Sequence, residues 1–185
     1  MTTKLTSERI KGFTQTKLTP VKRTGLSYDQ THKFAVRVLK ICLFVYRRLQ
    51  ASDQTARLIR DTIEFVLRRY HGYCIKENFG GHYREVGLKL GEKTDFEHVI
   101  PAAIARDLLI YDHITINEAL NIPTCIISRK KHKLLNKKLA STTPDIDYFW
   151  ARYKSLNIKI ETHDGVVVNQ ATWNIDQHYK HFNIT

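Results

Sequence analysis

Cysteine is scarce in this 185-residue chain, and its three cysteines are far apart. Cys42, Cys74 and Cys125 form no C-x-x-C pair, so zinc ribbons and zinc knuckles of the usual spacing are excluded. The same spacing indicates no disulfide framework, and Cys42 lies in an apolar helical pattern typical of a small core residue. This cysteine usage is what we expect of a protein from a reducing, intracellular setting.

Long hydrophobic runs are missing as well. The most apolar stretch, residues 34–46, is interrupted by Arg37 and Lys40 and is too short and too charged to cross a bilayer. The polar, basic residues 1–22 contain no apolar centre of a signal peptide. The P-loop pattern G-x-x-x-x-G-K-[S/T] and the hydrolase pattern G-x-S-x-G do not occur. We therefore expect no membrane partner, no P-loop and no serine-hydrolase chemistry.

Negative charge is in short supply. The chain has 18 Asp and Glu residues against 30 Lys and Arg residues, a formal net charge of +12. Such an excess favours a nucleic-acid partner and, more weakly, an anionic membrane. A basic protein without a polyanionic partner is the alternative. Hydrophobic residues make up 42% of the chain, enough for the core of one domain with an accessory element.

Hydrophobic periodicity predicts an α+β fold that is mostly helical. Residues 1–26 are interpreted as a basic N-terminal arm, with a frayed terminus as the alternative. Residues 27–92 are predicted to form a helical hairpin with connecting loops. Ser27 is the expected N-cap of its first helix, and Gly72 is the expected stop of its second.

The remaining chain divides into a candidate site and a C-terminal region. Residues 93–140 carry the candidate site. Residues 141–185 are predicted to contain a helix beginning near residues 142–145, a β-hairpin turning at Asp164-Gly165, and a last helix over residues 174–182.

Within the candidate site, Glu97 and His98 stand near the end of a predicted strand, since Pro101 cannot continue a ladder. Side chains alternate along a strand, so these neighbours can share a site only where the strand ends or kinks. A helical run over residues 102–110 follows. The capping box from Thr115 to Glu118 predicts another short helix.

A second predicted strand, residues 124–127, leads into a basic helix capped by Ser128. His132 and Asn136 lie four positions apart on this helix and therefore on one face. The surrounding cations suit a phosphate backbone. They are Arg129, Lys130, Lys131, Lys133, Lys137 and Lys138. An acidic residue beside one histidine, followed by a helix carrying a second, predicts a site for one divalent metal.

The stretch Glu97-His98-Val99-Ile100-Pro101 resembles the first motif of the HNH, or ββα-metal, nuclease superfamily, which usually reads Asp-His-Ile-Ile-Pro or Asp-His-Ile-Val-Pro. Residues 126–132 are similar to its closing strand-to-helix segment. The resemblance covers about a quarter of the chain. It implies a ββα-metal core, flanked here by the N-terminal helical hairpin and the C-terminal β-hairpin and helix.

Carried over position by position, the resemblance implies that Glu97 and His132 are metal ligands. Asn136, on the same helix face as His132, is predicted as a further ligand from its spacing. His98 stands where the family has the general base. Asn121 is the nearest match for the middle asparagine, which orients that base through its backbone; Asn117 is a weaker match. The connection between the motifs is longer and more helical than in the family, and Glu97 replaces the usual Asp.

The function expected from these features is a metal-dependent endonuclease that uses Mg²⁺, or Mn²⁺, on double-stranded DNA. A phage or mobile-element nuclease would have these properties. Two alternatives stay open, a non-catalytic nucleic-acid-binding protein on the same scaffold and an interaction module that binds an acidic protein. The sequence does not decide the oligomeric state, the target sequence, or the choice between DNA and RNA.

Overall fold

The computed structural model describes residues 27–49, 54–77, 80–139 and 148–184. Within these ranges the chain forms a mixed, mostly helical fold with one four-stranded sheet, which confirms the predicted α+β class. The predicted arm over residues 1–26 and the predicted helix start at residues 142–145 lie outside the described residues.

The predicted helical hairpin is present. Helix α1 spans Tyr28–Tyr46 and helix α2 spans Gln54–Tyr70. Ser27 caps α1 as predicted: its side chain accepts a hydrogen bond from the backbone N–H of Gln30, and the Gln30 side chain accepts one from the N–H of Ser27. This reciprocal cap satisfies two of the backbone donors that every helix start leaves unpaired.

The prediction that Gly72 ends the second helix is wrong. The chain continues past Tyr70 into a π-helical turn over His71–Lys76, which contains Gly72. Cys74 and Ile75 of this turn are buried in the hydrophobic core beside α1 and α2. Tertiary packing therefore overrides the local stop signal.

The sheet has the strand order β2-β3-β1-β4. Its strands are β1 (Tyr83–Glu85), β2 (Thr94–His98), β3 (Thr124–Ser128) and β4 (Ile160–Thr162). β3 pairs antiparallel with β2 and parallel with β1, and β4 pairs antiparallel with β1. The sequence does not predict β1, since three residues are too few to show an alternating pattern.

Five further helices lie within the described ranges. They are α3 (Ala102–Ile110), α4 (Ile116–Leu120), α5 (Arg129–Leu139), α6 (Ala151–Ser155) and α7 (Ile175–His181). α3 and α4 connect β2 to β3, and α5 follows β3 directly, as predicted. The predicted capping box of α4 is confirmed, because Thr115 and Glu118 exchange side-chain-to-backbone hydrogen bonds of 3.1 and 2.6 Å.

The C-terminal hairpin forms only in part. The chain turns at Asp164 and Gly165, and the backbone N–H of Thr162 donates to the Val166 carbonyl over 2.8 Å. The returning segment pairs only through an isolated bridge between Glu161 and Val167. The second strand of the prediction is therefore reduced to this bridge.

The buried apolar side chains form two clusters. The first joins α1, α2 and the π-helical turn to α3 and α4. The second joins the sheet to residues of α5, α6 and α7. The segment predicted as a separate nuclease core, residues 93–140, contributes to both clusters, because its inserted helices pack against the helical hairpin.

Candidate metal and nucleic-acid site

Strand alternation gives β2 two chemically different faces. Asp95 and Glu97 share one face, and Phe96 and His98 lie on the other. The register pairs Thr94 with Ser128, and the backbone N–H of Arg129 donates to the Lys93 carbonyl over 2.9 Å. The first turns of α5 therefore begin beside Asp95 and Glu97.

His132 of α5 lies between these two carboxylates. Its Nδ1 is 3.0 Å from Oδ2 of Asp95, and its Nε2 is 2.8 Å from Oε2 of Glu97. Nε2 is also 3.2 Å from the side-chain nitrogen of Asn136, one helical turn further on. The three side chains predicted as metal ligands, Glu97, His132 and Asn136, thus meet around one imidazole nitrogen.

The atoms that meet at Nε2 of His132 are of kinds that divalent cations bind. The 2.8 Å between His132 Nε2 and Glu97 Oε2 is a hydrogen-bond distance. A 180° rotation of the Asn136 amide would present its oxygen instead of its nitrogen. Divalent cations bind carboxylate oxygens, amide oxygens and the unprotonated nitrogen of a neutral imidazole.

Asp95 contacts the far side of the same ring. Its carboxylate can only accept a hydrogen bond, so Nδ1 of His132 donates to it, as in the carboxylate–histidine pairs behind metal ions. Glu97 likewise can only accept from Nε2, and a bound metal would take the place of that Nε2 proton. Asp95 is therefore not a third donor at Nε2. In the part of the chain that the structure describes, no group of three or more His, Cys, Asp or Glu side chains is arranged to hold a metal ion.

Two arginines neutralise the carboxylates. Arg129 donates to Oδ1 of Asp95 from Nε and Nη2, over 3.1 and 2.9 Å. Burial opposes ionisation of Asp95, but hydrogen bonds from Arg129 and His132 outweigh it and hold its pKa below the usual range. Arg152 of α6, buried at 4% exposure, donates to Oε1 of Glu97 over 2.7 Å. This contact leaves Oε2 of Glu97 directed at His132.

The structure places His98 on the opposite face of β2. Its Nε2 is 3.0 Å from Nδ1 of His71, and its ring packs edge-on against Phe96. Burial, and then the charge of Arg68, lower the pKa of His98 to about 4, so the ring is neutral at pH 7. Among the described residues the structure shows no contact of His98 with Glu97 or His132.

Asn121 lies elsewhere in the network. Its side-chain amide donates to the backbone carbonyl of Asn117 over 2.8 Å. Its own carbonyl accepts a 2.7 Å hydrogen bond from Nε2 of His178. The structure does not bring Asn121 to His98. The carbonyl that anchors the pair of histidines belongs to Ala119, 3.1 Å from Nε2 of His71.

The predicted nucleic-acid-binding residues lie on α5. Lys130, Lys133 and Lys137 are exposed. Lys131 forms a 2.6 Å ion pair with the buried carboxylate of Glu85, and Arg129 is engaged by Asp95. The side chain of Lys138 lies outside the described residues. Among the described side chains of α5, the free positive charge therefore comes from Lys130, Lys133 and Lys137.

Sequence reasoning missed three residues of this region. Asp95 could have been found, because it stands two positions before Glu97 and strand alternation puts both on one face. His71 and Arg152 carry no local signal. His71 is 27 positions from its partner His98, and Arg152 is 55 positions from Glu97.

No family model, no curated protein and no solved structure matches this chain. Among the described residues no helix is both long and apolar enough to cross a membrane.

Proposed function

We propose that this protein is a metal-dependent endonuclease that hydrolyses phosphodiester bonds in double-stranded DNA. The observation that carries the proposal is the meeting of Glu97, His132 and Asn136 at one imidazole nitrogen, on a helix that exposes several lysines. A charged, partly buried cluster of this kind beside a basic surface is a functional-site candidate on physical grounds alone.

The residues of the cluster have separate tasks. Glu97, His132 and Asn136 would hold Mg²⁺ or Mn²⁺, which when bound supplies Lewis-acid stabilisation of the charge that develops on the phosphate. Asp95 orients His132 from behind, and Arg152 orients Glu97. The exposed lysines of α5 bind phosphates that flank the scissile bond and give the complex its register.

His98 is proposed as the general base. It is neutral at pH 7 and can accept a proton from the attacking water. Because its pKa of about 4 makes it a weak base, its contribution should lie near the low end of the usual range of about 10²–10⁴-fold. It is the last residue of β2. A substrate that lies across the end of this strand would therefore contact His98 on one face and Glu97 on the other. This role rests on the resemblance of residues 97–101 to the HNH motif and on the neutrality of the ring.

Cleavage of supercoiled plasmid tests the proposal. Purified protein is incubated with Mg²⁺, Mn²⁺ or EDTA, beside the variants Glu97→Gln, His132→Ala and His98→Ala. Nicking that requires metal, and that each substitution reduces at least about 100-fold, is the expected result. The matched control is His113→Ala, which removes an exposed histidine and leaves nicking unchanged.

A second function is favoured by the placement of His98 and Asn121. Because Asn121 does not orient His98, the scaffold is also suited to bind nucleic acid without cutting it. DNA binding that weakens steeply with salt, without metal-dependent nicking of DNA or RNA, would select this alternative. If the protein neither binds nor nicks nucleic acid, the third possibility, an acidic protein partner, is left.

A further inference from the structure

The buried contact between His71 and His98 sets the proton position on both rings. Nε2 of His71 lies 3.1 Å from the carbonyl oxygen of Ala119, which can only accept a hydrogen bond. Nε2 of His71 must therefore carry a proton. Burial first, and then the neighbouring His98, lower the pKa of His71 to about 3, so the ring carries one proton only and its Nδ1 is an acceptor.

The acceptor nitrogen of His71 decides the state of His98. Nδ1 of His71 is 3.0 Å from Nε2 of His98, and two unprotonated nitrogens would repel each other at that distance. Nε2 of His98 must therefore be the donor. His98 can act as a base only as a neutral ring, which has one N–H, so in that state Nδ1 holds the free lone pair.

We propose that His71 is a positioning residue that holds His98 as the Nε2–H tautomer, so that Nδ1 is the atom that takes the proton from water. His71 thereby takes the role that the HNH pattern assigns to a middle asparagine, and Ala119 supplies the anchoring carbonyl. The catalytic meaning of this inference rests on the proposed function, but the tautomer itself does not.

The position of His71 is well suited to this task. It is fully buried and is the first residue of the π-helical turn, a distortion that often marks functional positions in helices. The carbonyl of Ala119 lies in the last turn of α4, where helix carbonyls have no partner within the helix. The Ala119 carbonyl, a fixed acceptor, and the buried ring of His71 thus restrict both the tautomer and the orientation of His98.

The test compares His71→Gln with His71→Phe in the full chain. Glutamine can donate to Ala119 and accept from His98, whereas phenylalanine keeps the ring shape and removes both hydrogen bonds. Tyr70→Phe is the matched control, because it removes hydrogen bonds to Tyr28 and His32 next to His71 without touching His98. Thermal melts confirm that each variant folds.

Nitrogen-15 NMR of the histidine rings reads the tautomer directly, with His98→Gln assigning the His98 signals. The wild type, His71→Gln and Tyr70→Phe are expected to show a protonated Nε2 and an unprotonated Nδ1 on His98. His71→Phe is expected to give a mixture of tautomers and a kcat about 10- to 100-fold lower at unchanged KM. A wild-type ring protonated at Nδ1, or an unaltered tautomer in His71→Phe, overturns the inference.

The two hypotheses fail separately. Absence of metal-dependent cleavage by the wild type overturns the proposed function, while the NMR signals still decide whether His71 sets the tautomer. If the wild type cleaves and His71→Phe retains full kcat, the endonuclease stands and the positioning role of His71 is overturned.

Discussion

The guanidinium of Arg152 donates to Oε1 of Glu97 over 2.7 Å, and both side chains are almost completely buried. A buried carboxylate without its cation is strongly destabilising, because the desolvated charge has nothing to compensate it. Arg152 therefore serves the stability of the fold as well as the direction in which Glu97 points.

Replacing Arg152 with Met should destabilise the protein by about 3 kcal/mol, the low end of the range for a broken buried ion pair, since the Glu97 carboxylate keeps its contact with His132. Adding Glu97→Gln to this variant should recover part of the loss, because it removes that charge. Urea unfolding measures both effects.

The matched control for this prediction is Arg129→Met. Arg129 pairs with Asp95 but is 51% exposed, so its loss should change the free energy of unfolding by less than about 1 kcal/mol. Equal effects of the two substitutions would contradict the assignment of Arg152 as a buried counter-ion.

Asp95→Asn should weaken metal binding about 10- to 100-fold, since the negative charge behind His132 makes Nε2 a better ligand. Titration with Mn²⁺ by calorimetry measures the affinity without depending on cleavage. Asp112→Asn, in an exposed ion pair with Arg47 far from the cluster, should leave the Mn²⁺ affinity unchanged. An unaltered affinity in Asp95→Asn would remove Asp95 from the site.

The exposed lysines of α5 should contribute to DNA affinity through phosphate contacts. Neutralising Lys130, Lys133 and Lys137 together with Gln should make the slope of log K against log salt less steep by about 2.7, or about 0.9 per contact. Lys131→Gln should have a smaller effect on this slope, because Lys131 already pairs with Glu85. Fluorescence anisotropy with a duplex at several salt concentrations gives the slopes.

A triple variant of equal charge change provides the control for the α5 lysines. Lys154, Lys159 and Lys180 are exposed and lie outside α5. Replacing them with Gln should leave most of the salt dependence in place. The same loss of slope in both triple variants would show that binding follows net charge rather than this helix.

Tyr83→Phe should destabilise the fold by about 2–3 kcal/mol. The fully buried Tyr83 hydroxyl accepts from Nε1 of Trp173 over 2.8 Å and donates to Nδ1 of His178 over 2.9 Å, so its removal strands two buried polar atoms. Tyr179→Phe is the matched control, because the buried Tyr179 hydroxyl has no hydrogen-bond partner in the described ranges. Its effect should stay within about 0.5 kcal/mol. Urea midpoints that shift equally would contradict the network.

Stability should fall as the pH drops from about 6.5 towards 4. Burial lowers the pKa of both His71 and His178 to about 3, whereas the unfolded chain titrates near 6.5. In that window the unfolded state binds more protons than the folded state, so acid favours unfolding by up to about 1.4 kcal/mol per pH unit for each histidine.

Among the described residues no carboxylate contacts the ring of His178 and reverses this direction. Its ring faces His82, Tyr83 and the Asn121 carbonyl, and the charge of His181 lowers the pKa further. Urea midpoints measured between pH 7 and 4.5 test the effect. The slope of the unfolding free energy against pH should decrease in His71→Gln by the equivalent of about one proton. A urea midpoint independent of pH would show that these rings are not buried as neutral groups.

The sequence by itself determined the local features of this protein. The Ser27 cap, the α4 capping box, helix α3 and the strand leading into α5 follow from periodicity and capping chemistry within a few neighbouring residues. The set of Glu97, His132 and Asn136 was also predicted, since a motif resemblance and a four-residue helical spacing suffice to name it.

Only the tertiary structure decided which groups surround those residues. Strand alternation separates His98 from Glu97, and long-range packing brings His71 to His98 and Arg152 to Glu97. Helix α7 places the ring of His178 against the backbone carbonyl of Asn121. Such contacts join residues tens of positions apart, and no local pattern encodes them, because each depends on how separate elements bury their apolar faces against one another.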